Sequence, residues 1–182
     1  ILGDLGADVI KVEQPEKGDD TRRFAPPFIR DGGGKETTES AYFCSSNRNK
    51  RSITLDLTNP DGQDLARQLI AKSDILVENF KFGGLAKYGL GYDQLKDDNP
   101  GLVYCSITGF GQTGPYAPRP GYDVLIQAMG GFMYLTGYED GPPMRIGYPT
   151  SFHHASAEGA VGALTALYHR AATGEGQHVD VS

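Results

Sequence analysis

The run "DILVENF", residues 74–80, is strand-length and almost wholly apolar, and it follows directly on a helical segment. A strand of that kind needs cover on both faces, which a parallel sheet flanked by helices provides. The preceding stretch "TNPDGQDLARQLIAKSD" predicts the covering helix: Asn59 as N-cap, Pro60 at the first helical position, and Leu65, Leu69 and Ile70 as one apolar stripe. "LVYCSIT", residues 102–108, is a second buried strand, and Val9–Glu13 and Ser52–Leu57 are two more candidates. Between them, "GGLAKYGLGYDQLKDDNPG" predicts two short helices halted at Asn99-Pro100. Further helices are expected at Asp123–Met129 and at Ala155–Ala172, the latter ending at Gly174. Strands alternating with helices give an α/β fold with a mostly parallel sheet.

The 182 residues suffice for one domain that buries roughly 70% of its unfolded surface. The chain opens on "ILGDLGADVIKVEQP", where Ile1–Leu5 reads as the end of a helix, Gly6 as its cap and Val9–Glu13 as a buried strand. Such an opening inside an α/β unit, with "GQHVDVS" at the other end, predicts a piece of a larger protein. Residues 14–40, rich in Gly, Pro, Asp and Thr, are expected to be a long surface excursion. A net charge of −6 argues against a general nucleic-acid or anionic-membrane surface. No apolar run approaches the ~20 residues of a membrane span. Cys44 and Cys105, distant in sequence, fit free thiols in a reducing compartment such as the cytoplasm.

Several short patterns invite chemistry. "GFGQTG", residues 109–114, follows a strand and matches the dinucleotide fingerprint, but Pro115, Pro118 and Pro120 forbid the helix that would receive a pyrophosphate. Its glycines instead allow close backbone approach to a ligand, or simply make turns. "NRNKRS" gathers Arg48, Lys50 and Arg51 into either a solvated loop or a phosphate site. Asn79 and Phe80 stand at the C-terminal edge of a strand, where α/β sheets bind ligands; an aromatic there stacks on a base and an amide hydrogen-bonds to it. The bland alternative is core packing for Phe80 and a turn for Asn79. His153, His154 and Glu158 do not make a metal site, because no third partner stands at a recognised spacing. No G-x-S-x-G elbow accompanies the histidines.

Taken in order, "LGDLGADVIKVEQP", "NRNKRSITLDL", "SDILVENF", "NPGLVYCSITGFGQTGPY", "RPGYDVLIQAMGG" and "HRAATGEGQHVDVS" resemble the class III CoA-transferases over essentially the whole chain. α-Methylacyl-CoA racemases share that family, so fold kinship alone does not fix the reaction. The resemblance implies a Rossmann-like large domain, here residues 1–182 without its first strand and without the small domain, and an assembly of two interlocked rings. It implies acyl-CoA and a carboxylic acid acceptor as substrates, and no covalently bound cofactor. By the same resemblance Leu55, Asn79 and Phe80 meet the adenine end of CoA and Lys87 meets a phosphate. Gln14 replaces one basic contact of the formyl-CoA enzyme, and Phe82 stands where proline is usual.

The family's transferases attack the thioester with an aspartate placed five residues after the glycine of "RIG". Counting from Gly147 gives Phe152, and counting back from "TGEGQ" gives Phe152 again. Phenylalanine cannot act as that nucleophile. Three readings follow: this chain is a non-catalytic subunit whose partner, a paralogue, carries the aspartate; Glu158, His153 or His154 reacts instead; or the protein binds CoA without transferring it. An acyl-CoA racemase or isomerase is the remaining alternative.

Overall fold

A computed structural model describes residues 1–182. The chain divides into two compact units, Ile1–Ala66 and Arg67–Ser182. The first unit opens with a 3-10 turn, Gly3–Leu5, closed by Gly6 in the left-handed conformation, the cap expected from the sequence. Strand β1 (Val9–Glu13) follows. The segment expected as an irregular excursion holds a 3-10 turn at Asp20–Arg23 and an antiparallel pair, β2 (Phe28–Arg30) and β3 (Glu36–Ser40). Helix α1 (Ala41–Ser46) is capped by Ser40, whose Oγ accepts from the Phe43 N–H at 2.9 Å. β4 (Lys50–Thr54) then pairs in parallel with β1, Val9 opposite Lys50 and Glu13 opposite Thr54. It starts and stops earlier than the expected strand. Of β1 only Glu13 is buried within this unit, so the strand is less covered than its apolar residues suggest.

Helix α2 (Pro60–Ile70) has the expected start: Asn59 Oδ1 accepts from the Asp61 N–H at 2.9 Å, and the division between the units falls near its end. Its buried positions are Gly62, Ala66 and Ile70, spaced four apart, whereas Leu65 is 51% exposed. Ile70 is covered as the stripe requires, while the small residues Gly62 and Ala66 take the place expected for Leu65.

The second unit contains a three-stranded parallel sheet in the order β5 (Ile75–Glu78), β6 (Val103–Ile107), β7 (His178–Val181). The central strand β6 is the most buried, as its apolar run requires. The connection from β5 to β6 carries a 3-10 turn at Ala86–Tyr88 and α3 (Tyr92–Leu95). The connection from β6 to β7 carries α4 (Asp123–Met129) and the long α5 (Thr150–Thr173), which ends at Gly174. Ala163 and Ala166 of α5 pack on Val103, with Ile75 and Val179 at the edge of the cluster. The helix lies close because its contact face is small: a Cβ added at Gly162 would come within 2.6 Å of the Val179 side chain. No helix of the chain is long and apolar enough to cross a membrane. The architecture is α/β with parallel sheets, as the alternating pattern predicts.

Candidate active site

The C-terminal ends of β5 and β6 and the start of α5 enclose a cavity of about 540 Å³ in the second unit. Each wall has a local cause. β5 ends at Glu78, whose carboxylate accepts from the Phe80 N–H at 2.8 Å and turns the chain outward. Asn79, Phe80 and Phe82 thereby line the cavity. β6 ends at Ile107, and the next residues, Thr108 and Gly109, form a second wall. The loop that follows folds back so tightly that a Cβ on Gly109 would sit 2.3 Å from the Gly121 Cα. The Gln112 N–H of the same loop donates to Asp180 Oδ2 at 2.8 Å. No helix begins within "GFGQTG", as its prolines dictate; the next helix starts at Asp123. The glycines serve backbone approach.

The third wall is the first two turns of α5. This helix begins at Thr150, five residues earlier than the sequence suggests, so Phe152 sits in its opening turn and not on a loop. Pro149 occupies the N-cap and provides no side-chain cap. The cap comes from α4: Asp123 Oδ1 accepts from the Ser151 N–H at 2.9 Å and from its Oγ–H at 2.6 Å. Asp123 Oδ2 accepts from Gln127 Nε2 at 2.8 Å, and Gln127 Oε1 accepts from the Ile146 N–H at 2.9 Å. Sequence reasoning assigned no role to Asp123 or Gln127. A capping carboxylate normally lies next to its helix in sequence, and this one comes from 28 residues away.

Phe152, His154 and Glu158 all line the cavity with Asn79 and Phe80. His153 does not: its Nδ1–H donates to the Pro149 carbonyl at 2.8 Å and its ring meets Tyr148 edge-on. His154 donates from Nδ1 to the Thr150 carbonyl at 2.9 Å and stacks against Phe132. A carbonyl cannot donate, so Nδ1 carries a hydrogen in this contact. Glu158 lies one turn beyond His154 and makes no hydrogen bond or ion pair. Along the helix it is roughly 9 Å from residue 152. Thr108 Oγ1 is buried without a partner, so a ligand in the cavity can supply one. Lys81 and Arg119 add positive charge to the lining.

The other expected contacts lie elsewhere. Lys87 is outside the cavity wall, with Nζ 4.4 Å from the Tyr88 ring centre. Leu55 belongs to the first unit, where its N–H donates to the Glu13 carbonyl. In that unit the "NRNKRS" cations are largely engaged within the fold. Arg48 pairs with Asp4 at 3.0 Å, Arg51 with Asp8 at 2.5 Å, and Lys50 donates to Asn47 and to the Ser46 carbonyl. This favours the structural reading of the motif over a phosphate site.

Comparison with known proteins agrees with this geometry. The family model "CoA-transferase family III" matches residues 1–182. A succinate–glutarate CoA-transferase from Agrobacterium fabrum is 50% identical over 182 residues, covering 100% of this chain and 45% of that protein. The beta subunit of a succinyl-CoA–L-malate CoA-transferase from Chloroflexus aurantiacus is 44% identical, covering 100% of this chain and 44% of that subunit. A crystal structure of a CaiB/BaiF family protein from Brucella suis superposes with a TM-score of 0.92 at 54% identity, over 100% of this chain and 47% of that one. The chain thus spans about half the length of the relatives it matches. Strand ends, glycine loop, matched residues and superposition agree: the chain belongs to CoA-transferase family III.

Proposed function

We propose that this chain holds an acyl-CoA for transfer of CoA between carboxylic acids, and that the attacking carboxylate comes from a second, related chain. The observation that carries this reading is the cavity that joins Asn79 and Phe80 to Phe152. In this reading adenine lies at the Asn79–Phe80 end, and Lys87 meets a phosphate outside the cavity. The thioester end points to the first turn of α5. Residues 1–182 form one part of a large domain, in a cytoplasmic setting that suits two unpaired thiols. The named relatives act on succinate, glutarate and malate, so a dicarboxylic acid is the proposed acceptor class. The Chloroflexus relative is itself a subunit, which favours a heteromer.

The chemistry requires a carboxylate. Its oxygen attacks the thioester carbonyl, the C–S bond breaks, and CoA leaves as thiolate from a mixed anhydride. The thiolate then attacks the enzyme-side carbonyl, releasing the first acid and leaving an enzyme thioester. The acceptor carboxylate attacks the enzyme thioester carbonyl, expelling CoA thiolate and forming a second mixed anhydride; the thiolate then attacks the acceptor-side carbonyl, giving the new acyl-CoA and freeing the enzyme carboxylate. In this reading backbone N–H groups of the glycine loop steady the oxyanions. Phe152 can take no step of this. A second reading, in which Glu158 is the nucleophile, is favoured by its unpaired carboxylate on the same wall.

The full-length protein and its partner should bind CoA and acetyl-CoA in calorimetry and should not bind NAD. Phe80→Ala should weaken CoA binding by roughly 1–3 kcal/mol through lost stacking. Incubation with succinyl-CoA, hydroxylamine trapping and mass spectrometry should place the adduct on an aspartate of the partner. An adduct on Glu158 would instead establish the second reading, and preference for NAD would sink both.

A further inference from the structure

The tie between α4 and α5 has an unusual polarity. The Ile146 N–H can only donate, so it fixes Gln127 with Oε1 toward it and Nε2 toward Asp123. Asp123 then faces three donors: Gln127 Nε2, Ser151 N–H and Ser151 Oγ–H. The two carboxylate oxygens accept from all three, and an acidic side chain at the start of α5 is favoured by the helix dipole. Gln127, at the centre of this chain of bonds, is 1% exposed, and the bonds themselves are partly buried. Ser151, next to Phe152, is therefore held from a different helix, and α5 has no cap of its own. The aspartate is not itself a wall of the cavity, although Ser151, Gln127 and Phe152 are. With its lone pairs engaged and its position behind the wall, it is a poor nucleophile.

We infer that Asp123, braced by Gln127, is a positioning residue that, by holding Ser151, fixes the backbone at position 152 against the thioester end of the bound acyl-CoA. The inference rests on the proposed orientation of CoA in the cavity. It assigns a role to a carboxylate that does not touch the reacting atoms. It also explains why a chain with phenylalanine at position 152 keeps the surrounding architecture: the tie holds Ser151, not the side chain of residue 152.

The test uses a thiol reporter in the full-length protein with its partner. In a Cys44→Ser background, Phe152→Cys places a thiol at the expected reaction point. Bromoacetyl-CoA, which delivers its electrophile from the CoA site, is compared with free iodoacetamide. The tethered reagent should label Cys-substituted position 152 at least tenfold faster. Asp123→Asn should reduce that advantage at least tenfold while CoA affinity changes less than twofold, because the amide cannot accept from Gln127 Nε2 at the same atom. Gln127→Met should produce a smaller loss in the same direction. An unchanged labelling ratio overturns the inference, as does a loss that only parallels CoA affinity. If bromoacetyl-CoA shows no advantage even with Asp123 intact, the proposed CoA orientation fails. Amide hydrogen exchange at residues 150–153 then still decides for the tie: at least tenfold faster exchange in Asp123→Asn supports it, and unchanged exchange refutes it.

Discussion

Glu13 is 5% exposed, at the end of β1, and its carboxylate is met from several sides. Arg22 donates to it from Nε at 3.0 Å and from Nη2 at 2.9 Å, Ser52 Oγ–H at 2.7 Å, and the Asp19 N–H at 2.9 Å. The bidentate Arg22 guanidinium is the main reason its pKa falls from the ordinary 4.5 to about 2; burial opposes the change, and the Ser52 and Asp19 donors add to it. A depressed carboxylate stabilises the fold above its unfolded pKa, and that contribution disappears as pH falls through the folded value. At about 1.4 kcal/mol per pH unit it amounts to roughly 3 kcal/mol at pH 7 and about 1 kcal/mol at pH 3. Arg22→Met should therefore destabilise the protein by roughly 3 kcal/mol at pH 7, because a buried carboxylate loses its charged partner. The difference between parent and variant should shrink toward about 1 kcal/mol by pH 3. Urea unfolding of the full-length protein, followed by circular dichroism at each pH, measures it. Adding Glu13→Gln to Arg22→Met should restore part of the loss at pH 7. A parent–variant difference that stays constant from pH 7 to pH 3 would refute the argument, since it would mean that Arg22 acts through packing on Phe43 or pairing with Glu39 instead.

Ala163→Leu should destabilise by about 1–3 kcal/mol in the same unfolding assay, because Ala163 is 0% exposed between α5 and β6; a neutral result would mean that α5 does not lie on the sheet as described. At pH 8 a thiol-specific reagent should modify Cys44 alone in the native protein and both cysteines in denaturant. Cys44 is exposed, whereas burial pushes the Cys105 thiol up to about 11. Rapid labelling of Cys105 without denaturant would contradict this.

The fold was legible where one residue pattern settles one element. The apolar run at 102–108 could only be a central strand, and β6 is the most covered strand of its sheet. Asp123–Met129 was readable to the residue, and Asn59-Pro60 marked the start of α2. What failed were patterns whose partners are distant. The pair β2 and β3 is set by a short antiparallel register within a polar, glycine-rich stretch that carries no alternation. The start of α5 was misplaced because the cap lies on α4, and local capping rules look only at neighbouring residues. Leu65 was assigned to a core that α2 fills with Gly62 and Ala66. Size of the side chain was mistaken for burial, where close approach of the backbone selects small residues.

The same distinction separates the parts of the candidate site. Asn79 and Phe80 were readable because the end of a parallel strand is a place defined by topology, and the structure puts both on the cavity wall. Counting along the chain singled out Phe152 without any geometry, and Phe152 lines the same cavity as Asn79 and Phe80. Whether Glu158 could share that site was not readable from spacing, since six residues along a helix change both height and direction. Glu158 and Phe152 line one cavity. A nucleophile must come within about 3–3.5 Å of the thioester carbon, so the two positions, roughly 9 Å apart along the axis, call for two different depths of the acyl group. Position 152 is held by the Asp123 tie and Glu158 is not tied to anything. A fixed position is what a reaction with a single attack geometry requires, and that is the physical reason why the proposed function looks for the carboxylate beside residue 152 and treats Glu158, more than one and a half turns further along α5, as the second reading.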